Sequence, residues 1–155
     1  MFKYKFYFLS VLFLTVLLVG CQIKPVKMVE VVIGQQTICA EVADQPAQRE
    51  QGLSGRPQLA ADRGMLFVFP QSNFHSFWMK GMNFPLDIIW INNNQIVEVW
   101  PNAPVPNGNP IPSHQPKNLA NYVLEVSAGS LEKYGWRLGD TAKINLTSTT
   151  CQTFY

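Results

Sequence analysis

Apolar residues occur in short runs along most of the chain, with the spacing of β-strands. Residues 28–33 and 37–42 are rich in β-branched side chains and flank Gly34-Gln35-Gln36, which predicts a hairpin. Residues 86–91 and 95–100 flank three asparagines and predict a second hairpin. Residues 64–69 and 74–80 are apolar on both faces, which is typical of buried strands. Two further strands are predicted at residues 122–126 and 141–146.

Helical segments are few and short. Pro46 begins a predicted helix that Asp44 can cap and Gly52 ends. A turn or short helix is predicted near residues 59–61, and residues 128–134 predict another helix, closed by Gly135. Because strands dominate, the sequence predicts an α+β, mainly β fold. We expect a compact, mostly antiparallel sheet or open barrel with two or three short helices.

One segment, residues 101–121, has the composition of a loop. It contains Gly108 and six prolines: Pro101, Pro104, Pro106, Pro110, Pro112 and Pro116. Proline lacks the N–H group that a helix interior or a central strand requires, so neither is expected here. Ordered loops of this length are often functional, although a solvated, variable excursion is the alternative.

The amino-terminal residues have the features of a bacterial lipoprotein signal peptide. Lys3 and Lys5 precede an apolar run over residues 6–19, which is shorter than the roughly 20 residues of a spanning helix. Residues 18–21, Leu-Val-Gly-Cys, resemble a lipobox, which implies cleavage and lipidation of Cys21. The expected organisation is a signal peptide at residues 1–20, a lipidated tether at 21–27 and one domain at 28–155. An uncleaved membrane anchor is the alternative.

This interpretation also predicts the location. The domain is expected outside the cytoplasm, held by its lipid on a bacterial membrane. Gln22, rather than aspartate, follows Cys21. In a host with two membranes, this residue favours the periplasmic face of the outer membrane.

Charge and cysteine content exclude several classes of protein. The chain has 12 Lys and Arg and 10 Asp and Glu; without Lys3 and Lys5 the basic count is 12 − 2 = 10, so the charges balance. A balanced surface argues against nucleic acid as a partner.

Cys39 and Cys151 can form a disulfide in an oxidising compartment or remain two free thiols. No Cys/His metal spacing is present, and neither a metal nor a cofactor is expected.

Several sequence blocks occur in a fixed order: Gly-Leu-Ser-Gly-Arg at 52–56, Gly-Met-Leu-Phe-Val-Phe at 64–69, Phe-Trp-Met-Lys at 77–80, Pro-Leu-Asp-Ile at 85–88 and Val-Leu-Glu-Val at 123–126, followed by Gly129 and then Gly139-Asp140. The chain resembles the domain of unknown function 192 (DUF192) family over residues 29–144. The resemblance implies a compact, β-rich fold and frequent export, but no agreed activity. The chain departs from the family pattern at Ser54, where methionine is usual, and at residues 81–83, where an Asn-Thr pair is usual. The proline-rich loop is a third departure.

Four residues form the candidate site: Arg56, Trp78, Lys80 and Asp87. Arg56 and Lys80 can receive an anionic group, Trp78 can stack on a ring such as a sugar face, and Asp87 can orient the cations or accept a hydroxyl proton. Asp87 lies in an apolar strand, so a buried carboxylate there should have a cationic partner. The alternative is a structural ion-pair network. A set of aromatic residues is expected in the core: Phe67, Phe69, Phe74, Phe77 and Trp90.

Three functions fit the sequence. The first is a non-enzymatic lipoprotein that binds a small molecule, a glycan or an envelope protein. The second is a hydrolase or lyase of an envelope polymer, which would use Asp87 with Lys80 or His75. The third is an assembly factor for a membrane complex, with the proline-rich loop as the contact. The sequence contains no Gly-Xaa-Ser-Xaa-Gly elbow. Ser76 and Ser113 are adjacent to His75 and His114, but adjacency in sequence is not a catalytic triad, and the absence of a nucleophile–base motif favours the first function.

Overall fold

The computed structural model describes residues 26–147 and Cys151. These residues form two short helices, α1 (Pro46–Gln51) and α2 (Ser130–Tyr134). Their strands are β1 (Met28–Ile33), β2 (Gln36–Ala43), β3 (Arg63–Asn73), β4 (Phe77–Trp78), β5 (Leu86–Asn92), β6 (Gln95–Ala103), β7 (Ser113–His114), β8 (Ala120–Ser127) and β9 (Ala142–Asn145). The predicted fold class, α+β and mainly β, is confirmed. Cys21 and the predicted signal peptide lie outside the described residues.

Seven strands form one sheet in the order β6-β5-β8-β3-β2-β1-β9. All neighbours are antiparallel except β2 and β3, which run parallel with Cys39–Ala43 opposite Arg63–Phe67. Parallel neighbours require a crossover connection. The segment between β2 and β3, which contains α1, supplies it and therefore lies against one face of the sheet.

The sheet curls until its two edge strands approach each other. The Ile96 N–H donates to the Asp140 carbonyl at 2.9 Å, and the Gly139 N–H donates back to the Ile96 carbonyl at 2.8 Å. The Ala142 N–H also donates to the Asn94 carbonyl at 2.8 Å. These bonds connect the start of β6 and the turn before it to the start of β9 and the turn that leads into it. The result is an open half-barrel, which is consistent with the predicted antiparallel sheet or open barrel.

Both faces of the sheet are covered. Inside the curl, Leu66 and Leu124 pack with Leu131 of α2 and with Trp136, whose indole donates to the Ile33 carbonyl at 3.2 Å. On the outer face, Phe67 and its neighbours pack beneath a second set of residues, namely Leu53, Met79 and Met82. The outer core is formed by the α1 crossover and by the segment that links β3 to β5. This is the face on which the candidate site lies.

The apolar run at residues 74–80 is not the buried strand that its pattern predicts. β3 continues to Asn73, and only Phe77 and Trp78 then pair, with the short strand β7. Met79 is fully buried, but Phe74 is 49% exposed and Trp78 is 56% exposed. The run crosses the outer face of the sheet instead of entering it. Its apolar side chains therefore lie partly in the outer core and partly on an exposed surface.

Two local expectations also change. Gln45, not Asp44, is the N-cap residue of α1, and the side-chain oxygen of Gln48 accepts the Gln45 N–H at 3.0 Å. Asp44 pairs with Lys27 at 3.8 Å instead. Strand β6 continues through Pro101 to Ala103. Because β6 is an edge strand, the missing N–H of proline is tolerated there.

Candidate functional site

A cleft of about 700 Å³ opens on the outer face, within the size range of small-molecule sites. Three elements form its walls: α1, the end of β3 with the following segment, and the proline-rich loop at β7. The lining residues are Arg49, Glu50, Phe67, Phe69, Phe74, His75, Ser76, Phe77, Trp78, Ser113 and Gln115. Five of these are phenylalanine or tryptophan, so we name this surface the aromatic cleft.

Contacts between the walls hold the aromatic cleft in shape. Phe77 packs edge-on against Phe67, with ring centroids 4.8 Å apart. The Ser76 hydroxyl donates to the side-chain oxygen of Gln115, which joins the segment after β3 to the proline-rich loop. The β4–β7 pairing connects the same two segments through their backbones. The cleft is therefore formed by residues far apart in the sequence.

Arg49 and His75 both contact the ring of Phe69. The Arg49 guanidinium donates to the carbonyl oxygens of Asp44 at 2.6 Å and Val68 at 3.1 Å, and lies 5.3 Å from the Phe69 ring centroid. The His75 ring stacks on the Phe69 ring, with centroids 3.5 Å apart. Burial lowers the pKa of His75 and the charge of Arg49 adds to this effect, while a hydrogen bond to the Gln71 carbonyl opposes it. The His75 ring, which forms part of the cleft wall, is therefore mostly uncharged at neutral pH.

Trp78 connects the aromatic cleft to a second chamber of about 300 Å³. In this chamber the Lys80 ammonium lies 5.7 Å from the Trp78 ring centroid, within the range of a cation–π interaction. The Ser54 hydroxyl donates to the Lys80 carbonyl at 2.7 Å and fixes the backbone there. A ring bound against Trp78 would therefore have a cation beside it.

A third chamber, of about 30 Å³, lies beneath the other two. Glu125 of β8 lines it and is only 5% exposed. Its Oε2 atom has no hydrogen-bond partner within the described part of the chain. Burial raises the pKa of Glu125 to about 8, and the Arg56 charge opposes part of this shift. The carboxyl group is therefore mostly protonated at neutral pH.

Of the four predicted site residues, the structure brings Trp78 and Lys80 together. Arg56 forms a bidentate ion pair with Glu41, at 2.5 and 2.7 Å. These two residues line a separate groove on the other side of α1, which does not include Trp78. Arg56 influences the chambers through its charge near Glu125, and its guanidinium does not line the aromatic cleft.

Asp87 has a different environment from the one expected. It is fully buried, and its two carboxylate oxygens accept the backbone N–H groups of Asn102 and Leu131, each at 2.8 Å. Leu131 lies in the first turn of α2, whose N-cap residue Gly129 has no side chain to cap the helix. Backbone donors therefore take the place of the expected cationic partner. Asp87 stabilises the fold and lies outside the cleft.

The sequence interpretation missed several residues of the site. It assigned Phe67, Phe69, Phe74 and Phe77 to the core, although their side chains also line the aromatic cleft. It gave Arg49 no role. For Glu125 a signal was available, because strand alternation places it on the face opposite Leu124 and Val126. Trp90, by contrast, is fully buried, as a core residue would be.

Two further observations concern only residues 26–147 and Cys151. No three His, Cys, Asp or Glu side chains among them are grouped as a metal site would require. No helix among them has the length and hydrophobicity needed to cross a membrane. The structure also bonds Cys39 to Cys151 through a disulfide.

The family model of DUF192, described as Uncharacterized ACR, matches residues 29–144. A crystal structure of a candidate transcription regulator from Sinorhizobium meliloti 1021 is similar, with 33% identity and a TM-score of 0.65 over 76% of this chain and 92% of that one. A crystal structure of a protein of unknown function from Novosphingobium aromaticivorans DSM 12444 has 24% identity and a TM-score of 0.71. The match covers 79% of this chain and 89% of that one, and it supports the fold alone. No curated protein matches the chain.

Proposed function

Because the chain belongs to the DUF192 family, whose description assigns no activity, we propose a function from its surface: it is a non-enzymatic binding protein whose aromatic cleft takes a small glycan. The observation that carries this proposal is the exposure of Trp78 and Phe74 on the rim of the cleft. Large aromatic side chains exposed together beside a cavity are typical of ligand sites.

The chemistry of the cleft fits a sugar ring. The apolar face of a pyranose can stack on Trp78 or Phe74, while its hydroxyl groups reach the polar residues at the edge. Ser113 and Gln115 supply polar groups from the proline-rich loop and Glu50 supplies one from α1, while Lys80 adds a positive charge in the second chamber. An aromatic platform with a few polar groups gives both affinity and orientation.

The geometry favours binding over turnover. The hydrolase hypothesis requires Asp87 to act with Lys80 or His75. Asp87 is instead fully buried, with both oxygens bonded to backbone N–H groups. It lines neither the aromatic cleft, which contains His75, nor the second chamber, which contains Lys80. His75 is stacked against Phe69. The acid and base candidates therefore do not meet around a common position for a reacting atom.

Calorimetric titration with N-acetylglucosamine and glucose oligosaccharides tests the proposal. We expect saturable binding of at least one of these sugars, and a loss of about tenfold or more in affinity for Trp78→Ala, because a stacked aromatic residue contributes a binding hot spot. Leu138→Ala is the matched control, since Leu138 is 62% exposed but lies outside the cleft. Absence of heat with every sugar, or equal loss in both variants, would rule out the glycan site.

We also propose that the protein is anchored outside the cytoplasm by a lipid on Cys21. The lipobox-like residues 18–21 support this location, and the disulfide between Cys39 and Cys151 is typical of an oxidising compartment. The balanced charge gives no support for a nucleic-acid role such as the description of the Sinorhizobium relative would suggest. Cys21→Ser should move the protein from the membrane fraction to the soluble fraction or leave it unprocessed. Unchanged processing and fractionation would contradict the anchor.

A second candidate function is contact with an envelope protein through the proline-rich loop. Val105, Ile111 and Leu119 are each more than one-third exposed on this loop, which gives it an apolar surface. Deletion of residues 104–116 should abolish co-purification of a specific partner from membranes while the sheet remains folded. The same partners with and without the loop would rule out this contact.

A further inference from the structure

The aromatic cleft continues inward to Glu125. The chamber of about 30 Å³ shares Arg49, Glu50, Phe67, Phe77 and Trp78 with the cleft above it. This volume accommodates an oxygen-sized group, since a cavity needs about 10–15 Å³ to hold a water molecule. The inner chamber is thus an extension of the same site.

Glu125 is positioned to contact a group that enters this chamber. Its Oε2 atom lies close to Gly52, at 4.0 Å from the position that a Cβ atom there would take. A Cβ at Gly52 would also lie 3.3 Å from the Phe67 ring, so only glycine leaves this space open without displacing a neighbour. The backbone of Gly52, with φ near +50°, is also one that other residues rarely adopt.

We propose that the inner chamber is a polar subsite of the glycan cleft, in which the Glu125 carboxyl group donates a hydrogen bond to a hydroxyl or carbonyl oxygen of the ligand. The inference deepens the proposed function and rests on it. A buried carboxyl oxygen without a partner in the part of the chain that the structure describes, such as Glu125 Oε2, is costly, because its lost hydration is not replaced. A ligand oxygen in this chamber would supply the missing partner.

The groups that pack around Glu125 are consistent with a proton donor. Along the sheet its direct neighbours in register are Met65 of β3 and Ile88 of β5, both apolar. Arg56, in the turn after α1, acts on the pKa of Glu125 through its charge, and its guanidinium is bound to Glu41 of β2. From α1, Arg49 and Glu50 line the chamber with opposite charges.

Carbon-13 NMR of glutamate carboxyl groups tests the subsite directly. The probes are acetamide, whose neutral carbonyl is small enough for the chamber, and N-acetylglucosamine oligosaccharides, which carry the same group on a ring. We expect each probe to shift the Glu125 signal saturably at about pH 6, and neither to do so at about pH 9.5, on the other side of the pKa of about 8. Calorimetry should show oligosaccharide affinity falling about tenfold over the same interval.

Two variants separate hydrogen bonding from packing. Glu125→Gln keeps a donor, so its oligosaccharide affinity should stay within about threefold of the wild type at about pH 6 and become independent of pH. Glu125→Leu has a similar volume without a donor and should lose about tenfold. Equal affinity of wild type and Glu125→Leu would overturn the proposed subsite.

The outcomes distinguish the subsite from the glycan cleft. Oligosaccharide binding that depends on Trp78 but leaves the Glu125 signal unmoved would overturn the subsite and preserve the proposed function. A saturable acetamide shift without oligosaccharide binding would support a polar chamber for a carbonyl oxygen and overturn the glycan. If no probe moves the Glu125 signal and no sugar binds, both are wrong, and Glu125 bonds only solvent.

Discussion

Two buried carboxyl groups on neighbouring strands have opposite roles. Asp87 of β5 accepts two backbone N–H groups and caps α2, which binds the helix to the sheet. Glu125 of β8 has an oxygen without a partner among the described residues and faces a chamber of the cleft. A satisfied group stabilises the fold, whereas an unsatisfied one lowers stability and is available to a ligand.

Glu125 should make the protein less stable as the pH rises. Burial raises its folded-state pKa from 4.5 to about 8, so between these values the folded state holds a proton that the unfolded state has lost. This contribution to stability is complete below about pH 4.5 and is lost by about 1.4 kcal/mol per pH unit up to about pH 8. Glu125→Gln should remove this slope. Urea unfolding from pH 5 to about 8 checks it, and parallel curves for the two proteins would contradict it.

Asp87→Ala should destabilise the protein by about 2–4 kcal/mol, because two N–H groups lose their acceptor, and one of them, on Leu131, is buried. Asp62→Ala is the control. Asp62 is largely exposed and its ion pair with Arg63 is long, at 3.9 Å, so the change should be within about 0.5 kcal/mol. Chemical unfolding measures both variants. Equal losses would show that Asp87 does not hold α2.

At the scale of elements, the cleft depends on how the proline-rich loop is held. Glu98 of β6 is one attachment point of this loop. Its Oε2 accepts the Lys117 N–H at 3.2 Å and the Asn118 side-chain amide at 3.1 Å, and its Oε1 lies 3.4 Å from Nε2 of His114. The His114 ring also stacks near Trp100, with centroids 5.6 Å apart. These contacts place Ser113 and Gln115 at the cleft.

Glu98→Ala should therefore loosen the loop without unfolding the sheet. We expect amide hydrogen exchange over residues 113–119 to increase about tenfold or more, while the amides of β3 and β8 keep their protection. Glu132→Ala, an exposed change on α2, should leave the loop unaffected. A loop with unaltered exchange in Glu98→Ala would mean that other contacts hold it.

Elements whose signals are local could be predicted from the sequence. The two hairpins formed because glycine or asparagine turns separate strands of matching pattern, and the hairpin turns contain Gly34 and the left-handed Asn93 and Asn94. The run at 74–80 could not be assigned correctly, because its pairing and burial depend on α1 and on β7, which are distant in sequence. The cleft was missed for the same reason. Strand alternation gave the direction of Glu125 but not what covers it.

The whole molecule is closed by a disulfide between β2 and the C-terminal end, with a sequence separation of 112 between the two cysteines. Cross-linking so long a loop restricts the unfolded chain, and the chain-entropy model gives a stabilisation of about 4–5 kcal/mol. Cys151→Ser should lower the free energy of unfolding by up to this amount. A reductant should have the same effect on the wild type and none on the variant. Identical unfolding of both proteins, with or without reductant, would contradict this contribution.

The central claim is that the aromatic cleft binds a glycan at Trp78. The most direct test is an NMR titration of the four tryptophan indole N–H signals with N-acetylglucosamine oligosaccharides. We expect the Trp78 signal to shift saturably, while the Trp136 signal, whose indole is bonded to the Ile33 carbonyl inside the half-barrel, stays in place. A Trp78 signal that does not move at any sugar concentration, or moves only together with that of Trp136, would contradict the claim.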